Sequence, residues 1–224
     1  MKLYYNELNL EINFQENIFN VLVIENKELY SDFFRNLFVE CNGGDGSVFI
    51  SDHGNDINIS KNVEFIVNPY DLDFNNRKII NALYSELDNI AVEEMMEQTS
   101  ELNVKEINYI DELINKVPYD LTYDIKPDVT GLLKLYGVKV NDDSDSLLER
   151  IENYIRVVHQ IINTSFVVFS NIKLFMSKEE IDELYKFCEY EKVYLLLLEG
   201  TKSEKQYNET ITIVDQDKCI ITLD

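Results

Sequence analysis

Three apolar runs limit what this 224-residue chain can fold into. Phe19–Glu25 (FNVLVIE), Ser165–Ser170 (SFVVFS) and Val193–Glu199 (VYLLLLE) are apolar almost without a break. A strand with one wet face alternates apolar and polar residues. Continuous runs of this length therefore describe strands buried on both faces, as in a sheet covered by helices. Between the first run and the other two, residues 75–163 are helical in pattern nearly throughout. The expected fold class is α/β: a mixed-sheet head from residues 1–74 and 164–224, with an α-helical subdomain inserted over 75–163.

Local signals fill in that outline. Residues 1–17 predict a short edge hairpin, and Glu28–Glu40 an amphipathic helix with Leu29, Phe33, Phe34, Leu37 and Phe38 on one face. Cys41–Gly46 (CNGGDG) reads as a turn, with short strands at Val48–Ser51 and Val63–Val67. In the insert, apolar residues recur at helical spacing from Ile79 to Ile114. Pro118 and Pro127 then interrupt the pattern. A short helix at Leu132–Tyr136 ends at Gly137, a left-handed cap. Ser146 with Glu149 and Ser177 with Glu180 fit capping boxes for helices over 147–163 and up to Tyr190. A hairpin of Thr210–Val214 and Cys219–Leu223 closes the chain.

Composition sets limits on function. The hydrophobic content of 45% suits a packed domain, and no apolar run reaches the roughly 18 residues of a membrane span. The first residues alternate and carry acids, unlike a signal peptide. Cys41, Cys188 and Cys219 are scattered without metal spacing and read as reduced thiols, so a cytoplasmic location is expected. The net charge of −22 opposes nucleic-acid binding by the chain as a whole. It is spread as −9 over residues 1–74, −8 over 75–163 and −5 over 164–224. Any nucleic-acid surface must be a local basic stripe made by folding or assembly.

Candidates for chemistry are few. The first strand-to-helix turn is where a phosphate-binding loop belongs, but it reads Glu25-Asn26-Lys27-Glu28, with no glycine and two acids, so no nucleotide is expected. His159 reads as a helix-surface or packing residue. His53 beside Asp52 is too close in sequence for triad geometry. Asp71 and Asp73 follow a strand, where metal-dependent phosphoryl-transfer enzymes place acid pairs; the plainer account is that Asp73 or Asn75 caps the next helix. Asp120, Asp124 and Asp128 are four apart around the proline break. On a helix they would share a face, and a hard cation would relieve their repulsion; a solvated acidic bend is the alternative. Asp142–Asp145 lacks the glycine and glutamate of a calcium loop and reads as a capping loop. Among the basic residues in and near the insert are Arg77, Lys78, Lys126, Lys134, Lys139, Arg150 and Arg156.

An ordered set of segments resembles a known family. Tyr70–Asn75 (YDLDFN) is followed by an Asn-Ala-Leu-Tyr-Ser-Glu-Leu helix at 81–87. Gly137–Val140 (GVKV) comes next, with Ser144–Ser146 (SDS). Val167–Asn171 (VVFSN), Ser177–Leu184 (SKEEIDEL) and Leu195–Glu199 (LLLLE) complete the series. In this order they resemble the short form of the type II-A CRISPR adaptation protein, over roughly residues 18 to 200. The resemblance implies a head related to P-loop (RecA-like) ATPases without their nucleotide motifs, and a projecting helical leg. It implies a homotetrameric ring that binds the ends of linear double-stranded DNA without sequence preference and is not an enzyme. Calcium held by acids near the bent leg is implied too. So are partnership with the CRISPR integrase subunits and RNA-guided nuclease, and a place in spacer acquisition. The Asp120–Asp124 segment fits the family's acidic leg segment and supplies the expected metal ligands, with Asp128 added on spacing. Lys126, Lys134, Lys139, Arg150 and Arg156 are the DNA-binding candidates, although the family's channel lysines do not map onto them one by one. Two other functions stand beside this one: an acidic scaffold for adaptation partners without DNA contact, and a phosphoryl-transfer enzyme using Asp71 and Asp73.

Overall fold

The three apolar runs lie side by side as parallel strands, in the order Phe19–Ile24, Tyr194–Glu199, Phe166–Ser170. The computed structural model describes residues 1–15, 17–124, 128–206 and 208–223. In chain order, β1 (Lys2–Tyr5) and β2 (Leu10–Asn13) form a hairpin. Then come β3 (Phe19–Ile24), α1 (Lys27–Cys41), β4 (Val48–Asp52), β5 (Asn55–Asp56), the single turn α2 (Ile59–Asn62) and β6 (Val63–Ile66). The helices α3 (Arg77–Glu93), α4 (Met96–Ile114) and α5 (Val129–Leu135) follow. The chain continues through α6 (Leu147–Ile162), β7 (Phe166–Ser170), α7 (Lys178–Glu191), β8 (Tyr194–Glu199), β9 (Glu209–Val214) and β10 (Ile220–Leu223). Met1–Phe74 with Asp142–Asp224 forms one compact unit and Asn75–Asn141 another.

In the α/β unit the main sheet runs β10-β9-β3-β8-β7-β6. Its pairs are parallel except β9 with β10, so the sheet is mixed. Leu22, Ile24, Val168, Leu196 and Leu198 on one face share a core with Leu29, Phe33 and Leu37 of α1. Alternate residues of the same strands are buried on the other side. There Phe19 stacks on Tyr185 of α7 with ring centroids 4.1 Å apart. Burial on both faces is what makes these strands continuously apolar.

The N-terminal hairpin does not extend this sheet. It pairs with β4 in a second, antiparallel sheet, β2-β1-β4-β5. Leu3, Tyr5, Leu10 and Ile12 alternate inward and join the α1 core, leaving the other face of β1 and β2 in water. Tyr5 meets Phe33 edge-on at 5.1 Å, a geometry worth about 0.5–1.5 kcal/mol beyond area burial.

Helix α6 is the main difference from the pattern-based division at residue 163. It belongs to the α/β unit, because Leu148, Ile151, Tyr154, Ile155 and Val158 are all buried. The Tyr154 hydroxyl donates to Glu64 of β6 at 2.7 Å, and Arg156 bonds Glu191 of α7 at 3.3 Å. The caps follow the sequence more closely. Ser177 and Glu180 close a full capping box on α7. On α6, the Ser146 hydroxyl accepts from the Glu149 amide, but the Glu149 carboxylate accepts from the Asp145 amide, one residue earlier than a box requires.

In the helical unit, α3 buries Ile79 and Tyr84. Its cap is Asn76, which accepts from the Lys78 and Ile79 amides, and not Asp73 or Asn75. Asn75 instead clasps Val140: its Nδ2 donates to the Val140 carbonyl at 3.0 Å and its Oδ1 accepts from the Val140 amide at 2.9 Å. The Tyr84 hydroxyl adds a bond to the Val138 carbonyl at 2.9 Å. Asn75→Ala strands both Val140 groups and is expected to cost about 1–2 kcal/mol. Amide exchange at Val140 should then quicken roughly tenfold or more. Unchanged exchange would show that the clasp holds nothing.

Candidate functional site

The strand-to-helix turn at Glu25–Glu28 takes up its own helix terminus. The Asn26 Oδ1 accepts from the Glu28 and Leu29 amides at 3.1 and 3.2 Å, the groups that a phosphate would otherwise use. From the β9–β10 turn, the Gln216 carbonyl accepts from Asn26 Nδ2 at 3.1 Å, and Gln216 Nε2 donates to the Glu25 carbonyl at 2.6 Å. The turn is thus braced on its strand side at Glu25 and on its helix side at Asn26.

The expected metal ligands do not lie on one helix. Asp120 and Asp124 are exposed in irregular chain after α4, so a four-residue spacing does not place them on a common face. The Tyr123 hydroxyl between them donates to Asp111 of α4 at 2.7 Å, and this bond raises the phenol above its ordinary range. Asp128 is the cap of α5, its Oδ1 accepting from the Gly131 amide at 2.8 Å. A Cβ at residue 131 would run into that carboxylate, which explains the glycine. Among the described residues, no group of three or more His, Cys, Asp or Glu side chains gathers as a metal centre. Calcium takes six to eight oxygens. The described carboxylates of one chain do not assemble such a shell.

The basic candidates divide by position. Arg150 is engaged inside the α/β unit: Nη2 donates to the Leu72 carbonyl at 3.1 Å and the guanidinium lies 5.4 Å from the Phe74 ring centre. Arg156 pairs with Glu191, donates to Asn153 at 3.0 Å and covers the Phe187 ring. Both therefore fasten α6 to its surroundings. Lys134 and Lys139 are exposed on α5 and just beyond it. Lys126 lies outside the described residues.

The other sequence candidates sit at separate places in the fold. His159 Nδ1 lies 2.7 Å from the Thr164 carbonyl, at the end of its own helix. His53 is 92% exposed at the β4–β5 turn, 4.0 Å from Asp52, without triad geometry. Asp71 and Asp73 are both exposed. No helix among the described residues is long and apolar enough to cross a membrane.

The polar cluster that sequence reasoning missed lies inside the α/β unit. Glu209 is fully buried and accepts from Lys173 Nζ at 2.6 Å, the Tyr185 hydroxyl at 2.5 Å and the Gln206 amide at 2.9 Å. Glu199 is 3% exposed and accepts from the Lys173 amide at 3.3 Å. Burial pushes the Glu199 carboxyl up to about 7, with the Glu209 charge adding to the rise and Lys173 opposing it. Two acids at the margins of apolar strands were the available signal.

Helix α4 is the most unusual element of the helical unit: it buries none of its 19 residues. Thr99, Asn103, Ile107 and Ile114 are half-buried, while Leu102, Val104, Tyr109, Ile110 and Leu113 are exposed. An apolar cavity of about 330 Å³ lies among α3, α4 and α5, lined by residues including Leu87, Ile90, Leu102, Val129 and Leu132.

Comparison with known proteins places the chain. The CRISPR-associated protein Csn2 of Streptococcus agalactiae is 25% identical over 154 residues, which make up 66% of this chain and 66% of that protein. The match thus spans just under two thirds of that relative's length. The family model described as CRISPR-associated protein (Cas_Csn2) matches residues 41–218, well over half of the chain and including all of α3 to β9. This chain belongs to the Cas_Csn2 family of CRISPR-associated proteins.

Proposed function

We propose that this protein is a non-catalytic, sequence-independent binder of double-stranded DNA ends, acting as a homotetrameric ring in CRISPR spacer acquisition. Family membership carries the reading. Its partners on this view are linear duplex DNA, further copies of itself, and the integrase subunits and RNA-guided nuclease of the same system. The head is read as a degenerate P-loop (RecA-like) core. The Asn26 cap, which takes the helix-terminal amides a phosphate would need, supports a structural head rather than a nucleotide site. Helix α4 supports assembly, since among the described residues its Val104, Tyr109, Ile110 and Leu113 are exposed.

Calcium is part of the proposal, with Asp120, Asp124 and Asp128 as the residues that would hold it. Asp128 caps α5 through Oδ1, so its Oδ2 would be the oxygen offered, and the remaining oxygens would have to come from backbone carbonyls or a neighbouring copy. When bound, the ion would neutralise these carboxylates. The test is retention of linear against covalently closed circular duplex of the same sequence, with calcium and with chelator, alongside mass in solution. The expected result is a tetramer that retains linear duplex and loosens on chelation. A tetramer that binds neither form identifies an acidic scaffold instead. Equal binding to both forms removes the end-binding element.

A further inference from the structure

Charge is segregated within Asn75–Asn141. Every carboxylate there lies between Glu86 and Asp128. The flanking stretches, 75–85 and 129–141, carry none and hold Arg77, Lys78, Lys134 and Lys139. These stretches are distant in sequence, yet the fold joins them. The Asn75–Val140 clasp and the bond from Tyr84 to Val138 fix the start and middle of α3 to the chain just beyond α5. Arg77 sits in the first turn of α3, where the helix dipole disfavours a cation.

The same end presents an apolar pair. Leu135 and Tyr136 are 78% and 76% exposed, more than any other large apolar residue described in this unit. They are held out by a defined backbone. The amides of Tyr136, Gly137 and Val138 donate to the carbonyls of Leu132, Lys134 and Leu133, and Gly137 takes the left-handed φ of 60° that ends α5. Lys134 and Lys139 flank the pair in sequence and are themselves exposed.

We infer that this basic end, whose nearest acids along the chain are Asp73 and Asp142, is the duplex-contacting surface of the helical unit. Arg77, Lys134 and Lys139 contact phosphates, and Tyr136 makes an aromatic contact with a terminal base or sugar. The inference rests on the DNA-binding reading above and specifies its residues. Phosphate contacts release counterions, so each contributes about 0.9 to the slope of log affinity against log salt, whereas aromatic stacking contributes little to that slope.

The experiment is a salt titration of a short blunt duplex against the full chain and its variants, with melting curves to confirm that each folds. K134Q/K139Q is expected to bind more weakly at low salt, with the slope reduced by about two for each engaged subunit. Tyr136→Ala should lose roughly tenfold at every salt concentration with the slope unchanged. Lys105→Gln, a control within the acid-rich stretch, should match the parent. If the parent retains duplex and K134Q/K139Q keeps its slope, this surface is wrong and the DNA reading stands. If the parent retains no duplex, the DNA reading itself falls and the inference with it. A change of solution mass in Tyr136→Ala, with duplex binding unaltered, assigns the pair to contact between copies and overturns the inference.

Discussion

Lys173→Met is expected to lower stability by about 3–5 kcal/mol, a large effect for a residue outside the apolar core. Glu209 is fully buried at the start of β9, and the Lys173 ammonium, 11% exposed, lies 2.6 Å from it. The Tyr185 hydroxyl and the Gln206 amide also donate to this carboxylate, but both are neutral. Removing the lysine strands a buried negative charge, with Glu199 as a further acid nearby. That loss costs more than the pair contributes in the intact protein, because the desolvation of Glu209 is already complete and is no longer compensated. The double variant K173M/E209Q tests the mechanism. The amide keeps hydrogen bonding to Gln206 without carrying charge, so the double variant should regain most of the loss. Urea unfolding followed by far-UV circular dichroism of the parent, K173M, E209Q and the double variant completes the cycle. A K173M loss below about 1 kcal/mol would mean that water or rearrangement already screens Glu209.

How much of this was legible beforehand depended on whether a signal was local. The buried strands were legible because burial on both faces leaves no polar position to keep. The Ser177–Glu180 box was legible because both partners sit within four residues. The family was legible too: the ordered segments from YDLDFN to LLLLE point where the family model matches. Packing between distant segments was not legible. The apolar stripe of α6 gives a helix, but contacts such as the Tyr154–Glu64 and Arg156–Glu191 bonds are needed to show which unit it joins. Arg150 reads as a free cation until Phe74 and the Leu72 carbonyl are seen to occupy it. The spacing of Asp120 and Asp124 implies a shared face only on a helix, and the chain there is irregular. Their place as ligands therefore rests on the resemblance and the calcium experiment. The basic end of the helical unit was written in the sequence as two acid-free stretches, but nothing local joins residue 75 to residue 140.

Glu199→Gln should make the protein more stable at pH 8 and leave it nearly unchanged at pH 5. The sign follows from proton binding. Burial lifts the folded-state carboxyl from an ordinary 4.5 to about 7, so between those values the folded chain holds a proton that the unfolded chain has released. Stability from this group is therefore highest below about 4.5, falls as pH rises through that window, and levels off above about 7. The full change is about 3 kcal/mol. Glutamine keeps the carbonyl oxygen that accepts from the Lys173 amide and cannot ionise, so it removes the alkaline part of this dependence. Comparing variant with parent at each pH cancels every other titrating group. An equal difference at pH 5 and pH 8 would sink the argument, since it would reflect packing alone. Lys173 forms a direct ion pair with Glu209, while Glu199 receives the Lys173 and Ile172 amides and the lysine's charge. That charge opposes the rise at Glu199, so K173M should push the Glu199 carboxyl further upward. The pH-dependent difference between E199Q and its parent should accordingly reach higher pH in the K173M background than in the native one.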